Sequence, residues 1–375
     1  MKKYFALAMI VALATAGAGM ASPSFIAPNA TFGAGSPSTT NNDDSCDIAN
    51  QPAATLLLPV FEVDFNSPST TAVNTLFTVT NTSVLPQIAH ITVWTDFSYP
   101  VLDFNIFLTG YDVQSISMYD ILNRGVLPGG GSGANQGDLS ADNDANPYFA
   151  SGAINACNNL PVQIPTLVLN DLRTALTTGT TVGCGSAKVG STHTNAIGYV
   201  TIDVSNTCSQ SLPTDSAYYT NEILFDNTLI GDYQRINPTS TTGNYAGGDI
   251  LVPIRAIPEG GPANQVQPTN LPFTFYDRYT PTGLRKADRR QPLPSTFAAR
   301  YISGGAGSFN TRYAIWREGI TRGLPTCTGS NAASLNGALA ISEIVRFDES
   351  ENPTTASPSV PISPVPPNVV SLPEA

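Results

Sequence analysis

The sequence has 375 residues, enough for more than one hydrophobic core, and 41% of them are hydrophobic. Only 12% are charged, and 28 acidic against 17 basic residues give a formal net charge of −11. This acidic balance argues against a nucleic-acid partner, because affinity for phosphates depends on a basic face.

The N-terminal residues predict a secretory signal peptide over residues 1–21. Two lysines precede an apolar stretch from Phe5 to Ala16. That stretch is too short to span a bilayer, and the small residues before Ser22 suit a cleavage site. We therefore expect an exported protein without a membrane span, secreted, extracellular or on the cell surface, with the periplasm left open.

Two segments contain little material for a core. Residues 22–51 are mostly small or polar, and residues 351–375 are rich in proline. Chains of such composition cannot bury enough apolar surface to fold alone. The sequence predicts a flexible leader over residues 22–51 and a disordered tail over residues 351–375.

Residues 52–123 predict a run of short strands that form a first β-sandwich unit. Apolar and polar residues alternate with a period of two, as they do in a strand with one buried face. The apolar set includes Phe61, Val63, Ile91 and Val93. Turn residues separate the runs, and such regular spacing favours an antiparallel sandwich over alternating strands and helices.

Residues 124–195 are predicted to be a connector with a glycine- and aspartate-rich loop and a helix. The loop contains Asp138, Asp142, Asp144 and Asn146. Oxygens at alternate positions resemble the opening of a calcium loop. Pro147, however, stands where the helix–loop–helix calcium site requires glycine. The alternative is a solvated acidic turn, and calcium is the only cofactor that the sequence suggests.

The helix is predicted over residues 163–178. Its apolar stripe consists of Leu167, Leu169, Leu172 and Leu176. Pro165 suits the first turn, and Gly179 suits the end of the helix.

Residues 196–350 predict a second β-rich unit, which either stands alone or shares a sheet with the first. The candidate strands before residue 260 are Ile197–Val204, Glu222–Phe225 and Ile250–Ile257. The predicted fold is therefore mainly β, an antiparallel sandwich of immunoglobulin-like or jelly-roll-like type, with two sandwich-like units and one short helix.

Five cysteines are present, and an exported chain normally oxidises them to disulfides. Cys184 and Cys208 flank a predicted hairpin and are the preferred pair. Pairing of Cys46 with Cys327, or of Cys157 with either of these two, stays open. A zinc site is the rival interpretation, but no Cys-x-x-Cys spacing supports it.

Basic residues concentrate in one stretch of an otherwise acidic chain. Residues 278–322 hold nine basic and two acidic residues, with aromatic residues beside them. Arginine pairs in a bidentate manner with carboxylates and phosphates. The residues predicted to bind an anionic ligand such as a glycan are Arg278, Arg285, Arg289, Arg290, Trp316 and Arg317. Internal pairing with acidic residues of the first unit, or a plain solvated face, is the alternative.

Catalytic patterns are weak. A Ser-His-Asp hydrolase needs a base, and His90 and His193 are the only histidines. His90 lies within a predicted strand, opposite its apolar face, and His193 lies in a loop. The sequence therefore favours a non-enzymatic protein.

Several segments resemble a group of uncharacterised exported proteins from environmental Gram-negative bacteria. These segments are LLLPVFEVDF, HITVWTDFSYPVLDF, NAIGYVTIDVSN, DRRQPLPSTFAARY and YAIWREG. The resemblance spans most of residues 52–350 and implies export and a β-rich body. It carries no activity, ligand or catalytic residue.

Three functional hypotheses follow. The first is a structural or adhesive β-sandwich protein at or outside the cell surface. The second is a carbohydrate-binding or carbohydrate-cleaving protein that uses residues 275–322. The third is a subunit of a surface assembly that self-associates through edge strands.

Overall fold

The computed structural model describes residues 51–128, 149–150, 157, 160, 162–208, 210–213, 215, 217–238, 246–256 and 290, and the backbone of short strands after residue 302. The strands are β1 (Thr55–Val63), β2 (Asn74–Asn81), β3 (Gln87–Thr95), β4 (Pro100–Leu108), β5 (Val113–Ser117), β6 (Ala196–Ser205), β7 (Leu229–Ile230), β8 (Asp232–Ile236), β9 (Ala246–Ile250), β10 (Val252–Ile254), β11 (Ser303–Gly304), β12 (Phe309–Asn310), β13 (Arg312–Tyr313), β14 (Ile344–Phe347), β15 (Pro353–Ala356) and β16 (Val370–Ser371). One α-helix, α1 (Thr166–Thr177), a 3-10 turn at Val182–Cys184, and π-helical turns at Asp120–Arg124 and Tyr218–Glu222 complete the described elements.

Two five-stranded antiparallel sheets form the body of the protein. Sheet I has the strand order β10-β1-β6-β3-β4, and sheet II has the order β5-β2-β8-β9 with β7 also paired to β2. Beyond residue 302, the described strands form the antiparallel pairs β11–β12, β13–β16 and β14–β15. The predicted class, mainly β with antiparallel sheets and one short helix, is confirmed.

The two sheets share one hydrophobic core, which the alternation of side chains creates. Phe61 and Val63 of β1, Ile91 of β3 and Phe77 and Val79 of β2 are all buried in it. Burial of each such side chain stabilises the fold by about 1.5–3 kcal/mol. The period-two pattern in the sequence therefore identified the inner face of both sheets.

Local irregularities in β1 and β6 have identifiable causes. The register of β1 against β6 shifts between Leu58 and Phe61, where Pro59 cannot donate a backbone hydrogen bond. Phe61 then pairs with Gly198. A Cβ atom at Gly198 would lie 2.2 Å from the Trp94 carbonyl oxygen and 2.8 Å from Phe61 Cζ. Only glycine leaves room here for the Phe61 ring.

The described strands of residues 196–256 join the two sheets rather than forming one of their own. Strand β6 lies between β1 and β3, and β10 extends sheet I beyond β1. Strand β8 pairs with β2 and β9 in sheet II. Strands from residues 196–254 thus belong to the same two sheets as strands from residues 55–117.

Helix α1 lies where the sequence predicted a helix, over Thr166–Thr177, with Pro165 before its first residue. Gly179 follows the helix with a φ of +68°, a backbone conformation that glycine adopts without strain. Leu169, Leu172 and Leu176 are buried, but Leu167 is 84% exposed. The assignment of Leu167 to the buried stripe was wrong, because residues two apart lie nearly on opposite sides of a helix.

The disulfide prediction was also wrong. Cys208 is bonded to Cys157, with an S–S distance of 2.02 Å and a Cα–Cα distance of 5.2 Å, and not to Cys184. Cys184 is itself disulfide-bonded. The predicted pair fails because the two cysteines lie in separate apolar clusters. Cys184 packs with Ala175 and Val189, and Cys208 packs with Ile88 and Phe107.

Within the described part of the chain, no helix is long and apolar enough to cross a membrane.

Candidate functional site

A row of polar side chains crosses the face of sheet I that points away from the shared core. Asn105 of β4 lies opposite His90 of β3, His90 lies opposite Asp203 of β6, and Asp203 lies opposite Thr55 of β1. Paired residues of neighbouring strands project to the same face of a sheet. We call Asn105, His90, Asp203 and Thr55 the polar row, and all four are buried.

Apolar groups cover this outer face of sheet I. The cover is a second hydrophobic cluster made of Ala54, Leu57, Trp94, Tyr199, Tyr218, Ile223, Phe225, Ile254 and Ala256. Within it, the rings of Trp94 and Tyr199 stack with centroids 5.7 Å apart. Sheet I is thus buried on both faces, and its polar side chains must find partners inside the protein.

Asp203 is the centre of the buried contacts. Its Oδ1 accepts hydrogen bonds from Thr55 Oγ1 at 2.5 Å and from Arg290 Nη1 at 3.2 Å. Its Oδ2 accepts a hydrogen bond from the Tyr218 hydroxyl at 2.5 Å. Arg290 Nη1 also donates to Thr55 Oγ1 at 3.3 Å. Asp203 and Arg290 are both 0% exposed, so a fully buried carboxylate is neutralised by a fully buried guanidinium.

His90 of β3 lies opposite Asp203, and Asp103 lies on β4, two residues before Asn105. His90 Nδ1 is 2.9 Å from Asn105 Oδ1, within hydrogen-bond distance. The rings of His90 and Tyr218 are 5.4 Å apart. Burial raises the pKa of the Asp103 carboxyl, although His90 opposes this rise and Asp215 adds to it.

A second buried carboxylate, that of Asp96, pairs with a histidine at the turn between β3 and β4. Asp96 Oδ2 is 2.6 Å from His193 Nε2, and Asp96 Oδ1 accepts the backbone N–H of Ser191 at 3.0 Å. The side chains of His193 and Asp96 are 8% and 2% exposed. The carboxylate therefore fixes the orientation of the imidazole ring.

The loop that carries His193 also covers the end of helix α1. The backbone N–H of His193 donates to the carbonyl oxygen of Thr177 at 2.6 Å, and Lys188 Nζ donates to that of Thr178 at 2.6 Å. These groups satisfy carbonyls that a helix leaves without intrahelical partners. Asp96 thus joins the β3–β4 turn to the loop that caps α1.

Both arrangements contain groups that take part in catalysis in other settings, but here they join elements of the fold. Arg290, Asp203, Tyr218 and Thr55 are enclosed, and Asp96 and His193 hold a loop in place. Across the described residues, no three histidine, cysteine, aspartate or glutamate side chains come together as a metal site.

Most of the sequence-predicted site residues lie outside the described residues. These are Arg278, Arg285, Arg289, Trp316 and Arg317 of the anionic-ligand site, and Asp138, Asp142, Asp144 and Asn146 of the calcium loop. Arg290 is described, and its burial contradicts an exposed role in ligand binding. It pairs internally with Asp203, a partner that the sequence did not indicate.

Few features of the sequence indicate which polar side chains the structure brings together around Asp203. Asp203 and His90 occupy the polar phase of strands whose other phase is apolar, and this pattern predicts exposure. Tyr218 and Arg290 lie 15 and 87 residues from Asp203. Their convergence depends on the cover over sheet I, which no local pattern encodes.

Comparisons with protein-family models, with curated proteins and with solved structures found no match to this chain. The fold and its buried contacts define a disulfide-bonded, mainly β protein of two antiparallel sheets.

Proposed function

We propose that this protein is an exported β-sandwich protein with a structural or adhesive role at or outside the cell surface, rather than an enzyme. The disulfide between Cys157 and Cys208 is the observation that carries the proposal, because such bonds persist in oxidising compartments outside the cytosol. It agrees with the signal-peptide pattern of residues 1–21.

The use of the reactive side chains supports a structural role. The ion pair between Arg290 and Asp203 attaches residue 290 to sheet I. The contact between His193 and Asp96 attaches a loop to the β3–β4 turn. Glu62 of β1 accepts hydrogen bonds from Asn195 at 2.7 Å and from Arg235 of β8, and so joins the two sheets. These charged side chains thus stabilise contacts between elements of the fold.

Export is tested by producing the full chain with its own N-terminus in a Gram-negative host. We expect the exported fraction to begin at Ser22 and the thiols of Cys157 and Cys208 to resist alkylation until the protein is reduced. N-terminal sequencing and mass spectrometry of alkylated peptides measure both. A chain that stays in the cytosol with free thiols would contradict the proposal.

The structural or adhesive role is tested with purified mature protein. We expect saturable retention on cell surfaces or on the coated surfaces used in adhesion assays, and loss of retention after the disulfide is reduced. Recovery of all the protein in the soluble fraction, at every concentration, would contradict an adhesive role.

A glycan-binding function is the second candidate, and the cluster of basic residues in an acidic chain favours it. Alanine at Arg285 and Arg289 is expected to abolish retention on acidic polysaccharides under this hypothesis. Arg290 is unsuitable for the test, because its buried ion pair makes any substitution a change to the fold. Equal retention of the variant and the parent would rule out a role for these two arginines.

Self-assembly through the edges of sheet II is less favoured by the structure. Among the described strands, β5 and β9 lie at the two edges of that sheet. Asp112 Oδ1 accepts the N–H of Val113 at 2.8 Å, and Asp249 Oδ1 accepts the N–H of Ile250 at 2.8 Å. Side chains thus occupy backbone donors that an added strand would need.

A further inference from the structure

The guanidinium of Arg290 lies against the outer face of sheet I, within a set of groups that match it. We infer that Thr55, Asp203 and Tyr218 form a guanidinium-binding site, and that its occupant is the side chain of residue 290 of the same chain. The site is a receptor for alkylguanidinium ions, built into the sandwich and filled from a distant part of the sequence.

The acceptor groups of the site are positioned by the sandwich itself. Thr55 belongs to β1 and Asp203 belongs to the neighbouring strand β6, where the two residues face each other in register. Thr55 and Tyr218 each donate a hydrogen bond of 2.5 Å to Asp203, one to each carboxylate oxygen. The carboxylate is therefore oriented by groups that do not depend on Arg290, and this preorganisation lowers the cost of binding a cation.

The occupant suits these acceptors. Arg290 Nη1 lies 3.2 Å from Asp203 Oδ1 and 3.3 Å from Thr55 Oγ1, so one nitrogen serves two acceptors on adjacent strands. The guanidinium spreads its charge over a plane and holds its donors in a fixed fork, whereas a lysine ammonium presents a single compact charge. Arg290 is 0% exposed, so the contact is shielded from water.

The surroundings make an occupant necessary. Leu57, Ile254 and Ala256 belong to the apolar cover beside the site. A carboxylate buried among such groups is strongly disfavoured without a cation. Residue 290 pairs with Ala256 through an isolated antiparallel bridge, which brings its side chain to the site. If the side chain is removed, Asp203, Thr55 and Tyr218 still surround a space that a small cation of the same shape can enter.

The experiment uses the full mature chain with the substitution Arg290→Ala and the probe methylguanidine. Loss of one partner of a buried ion pair is expected to lower the melting temperature by on the order of 10 °C. Methylguanidine at millimolar concentration is expected to restore at least half of this loss in a saturable manner. Methylammonium is the matched control, and it should restore much less. The unsubstituted protein should respond to neither ion.

Further variants separate recognition from general stabilisation. In Arg290→Ala with Tyr218→Phe, the carboxylate loses one orienting donor, and several-fold more methylguanidine is expected for half-maximal recovery. If Arg290→Ala does not fold, the yield of folded protein after dilution from urea is compared with each ion present. Recovery with methylguanidine alone supports the site. Equal effects of the two ions, no effect of either, or an unchanged melting temperature in Arg290→Ala would overturn it.

Discussion

The carboxylate of Asp96 and the imidazole of His193 lie 2.6 Å apart, although 97 positions separate them in the sequence. Asp96 leaves strand β3 at the turn toward β4, and His193 belongs to the loop that caps helix α1. The contact therefore joins a sheet to a helix through two side chains that are almost fully buried.

Substitution of His193 by alanine tests the strength of this connection. Loss of a hydrogen bond to a charged group, with the other partner left buried, is expected to reduce the free energy of unfolding by about 1–3 kcal/mol. Urea denaturation measures this change. Thr192→Ala is the control, because Thr192 is exposed in the same loop. A His193→Ala variant as stable as Thr192→Ala would show that the contact contributes nothing.

Gly198 offers a steric test of the packing in sheet I. An alanine Cβ at this position would meet the Trp94 carbonyl oxygen at 2.2 Å and the Phe61 ring at 2.8 Å. Overpacking of this kind is expected to cost about 1–3 kcal/mol or more, measured by thermal or urea denaturation. Gly183→Ala is the matched control, because a Cβ at Gly183 meets nothing within 4 Å. Equal stability of the two variants would contradict the described packing.

Asp103 gives a prediction about pH. Burial raises its pKa above the ordinary value of 3.8, with an opposing effect of His90 and a smaller reinforcing one of Asp215. The folded state therefore holds this proton more tightly than the unfolded state does. The associated stability is fully present below pH 3.8 and is lost as the pH rises through the raised folded pKa.

Asp103→Asn mimics the protonated carboxyl at all pH values. We expect its stability relative to the parent protein to be more favourable at pH 7 than at pH 3, because only the parent has a carboxyl at residue 103 that loses its proton between these pH values. Urea titrations at several pH values measure the difference. A difference that is constant with pH, or that changes in the opposite direction, would be inconsistent with the raised pKa.

Asp64 has a pKa shifted in the opposite direction and serves as the counterpart of Asp103 in the same experiment. A hydrogen bond from the Ser67 side chain is the largest effect and lowers the pKa of Asp64, against a smaller rise from burial. Its stabilising effect is present above pH 3.8 and is lost as the pH falls through the lowered folded pKa. Asp64→Asn should therefore lose stability relative to the parent at pH 7 and match it in acid.

The disulfide gives a prediction about stability in reducing conditions. Cys157 and Cys208 are 51 positions apart, and closure of a loop of that size is expected to stabilise the fold by about 2–5 kcal/mol. Cys157→Ser with Cys208→Ser removes this bond alone, whereas reduction of the parent protein also opens the bond of Cys184. Urea denaturation should rank the parent above the double variant. Equal stability of the two would show that the bond has no constraining effect.

The sequence by itself determined the class of the fold and the inner face of its sheets. Alternation at Phe61, Val63, Ile91 and Val93 predicted the strands and their buried side, because a strand projects every second side chain to one face. Pro165 and Gly179 likewise bracketed helix α1 through backbone preferences that act within a few residues. These signals are local, and so they can be recognised in the sequence.

The tertiary structure alone decided what lies on the other face of sheet I. The same alternation placed His90 opposite the apolar face, but Tyr218 and the groups around it cover that face of the sheet. The partners of Asp203, of Asp96 and of Cys208 come from remote parts of the chain. Such contacts depend on the spatial order of the strands in each sheet and on the segments that cover the sheets. Since the spacing of residues along the chain does not encode that spatial order, only the folded structure reveals the buried arginine site and the Asp96–His193 pair.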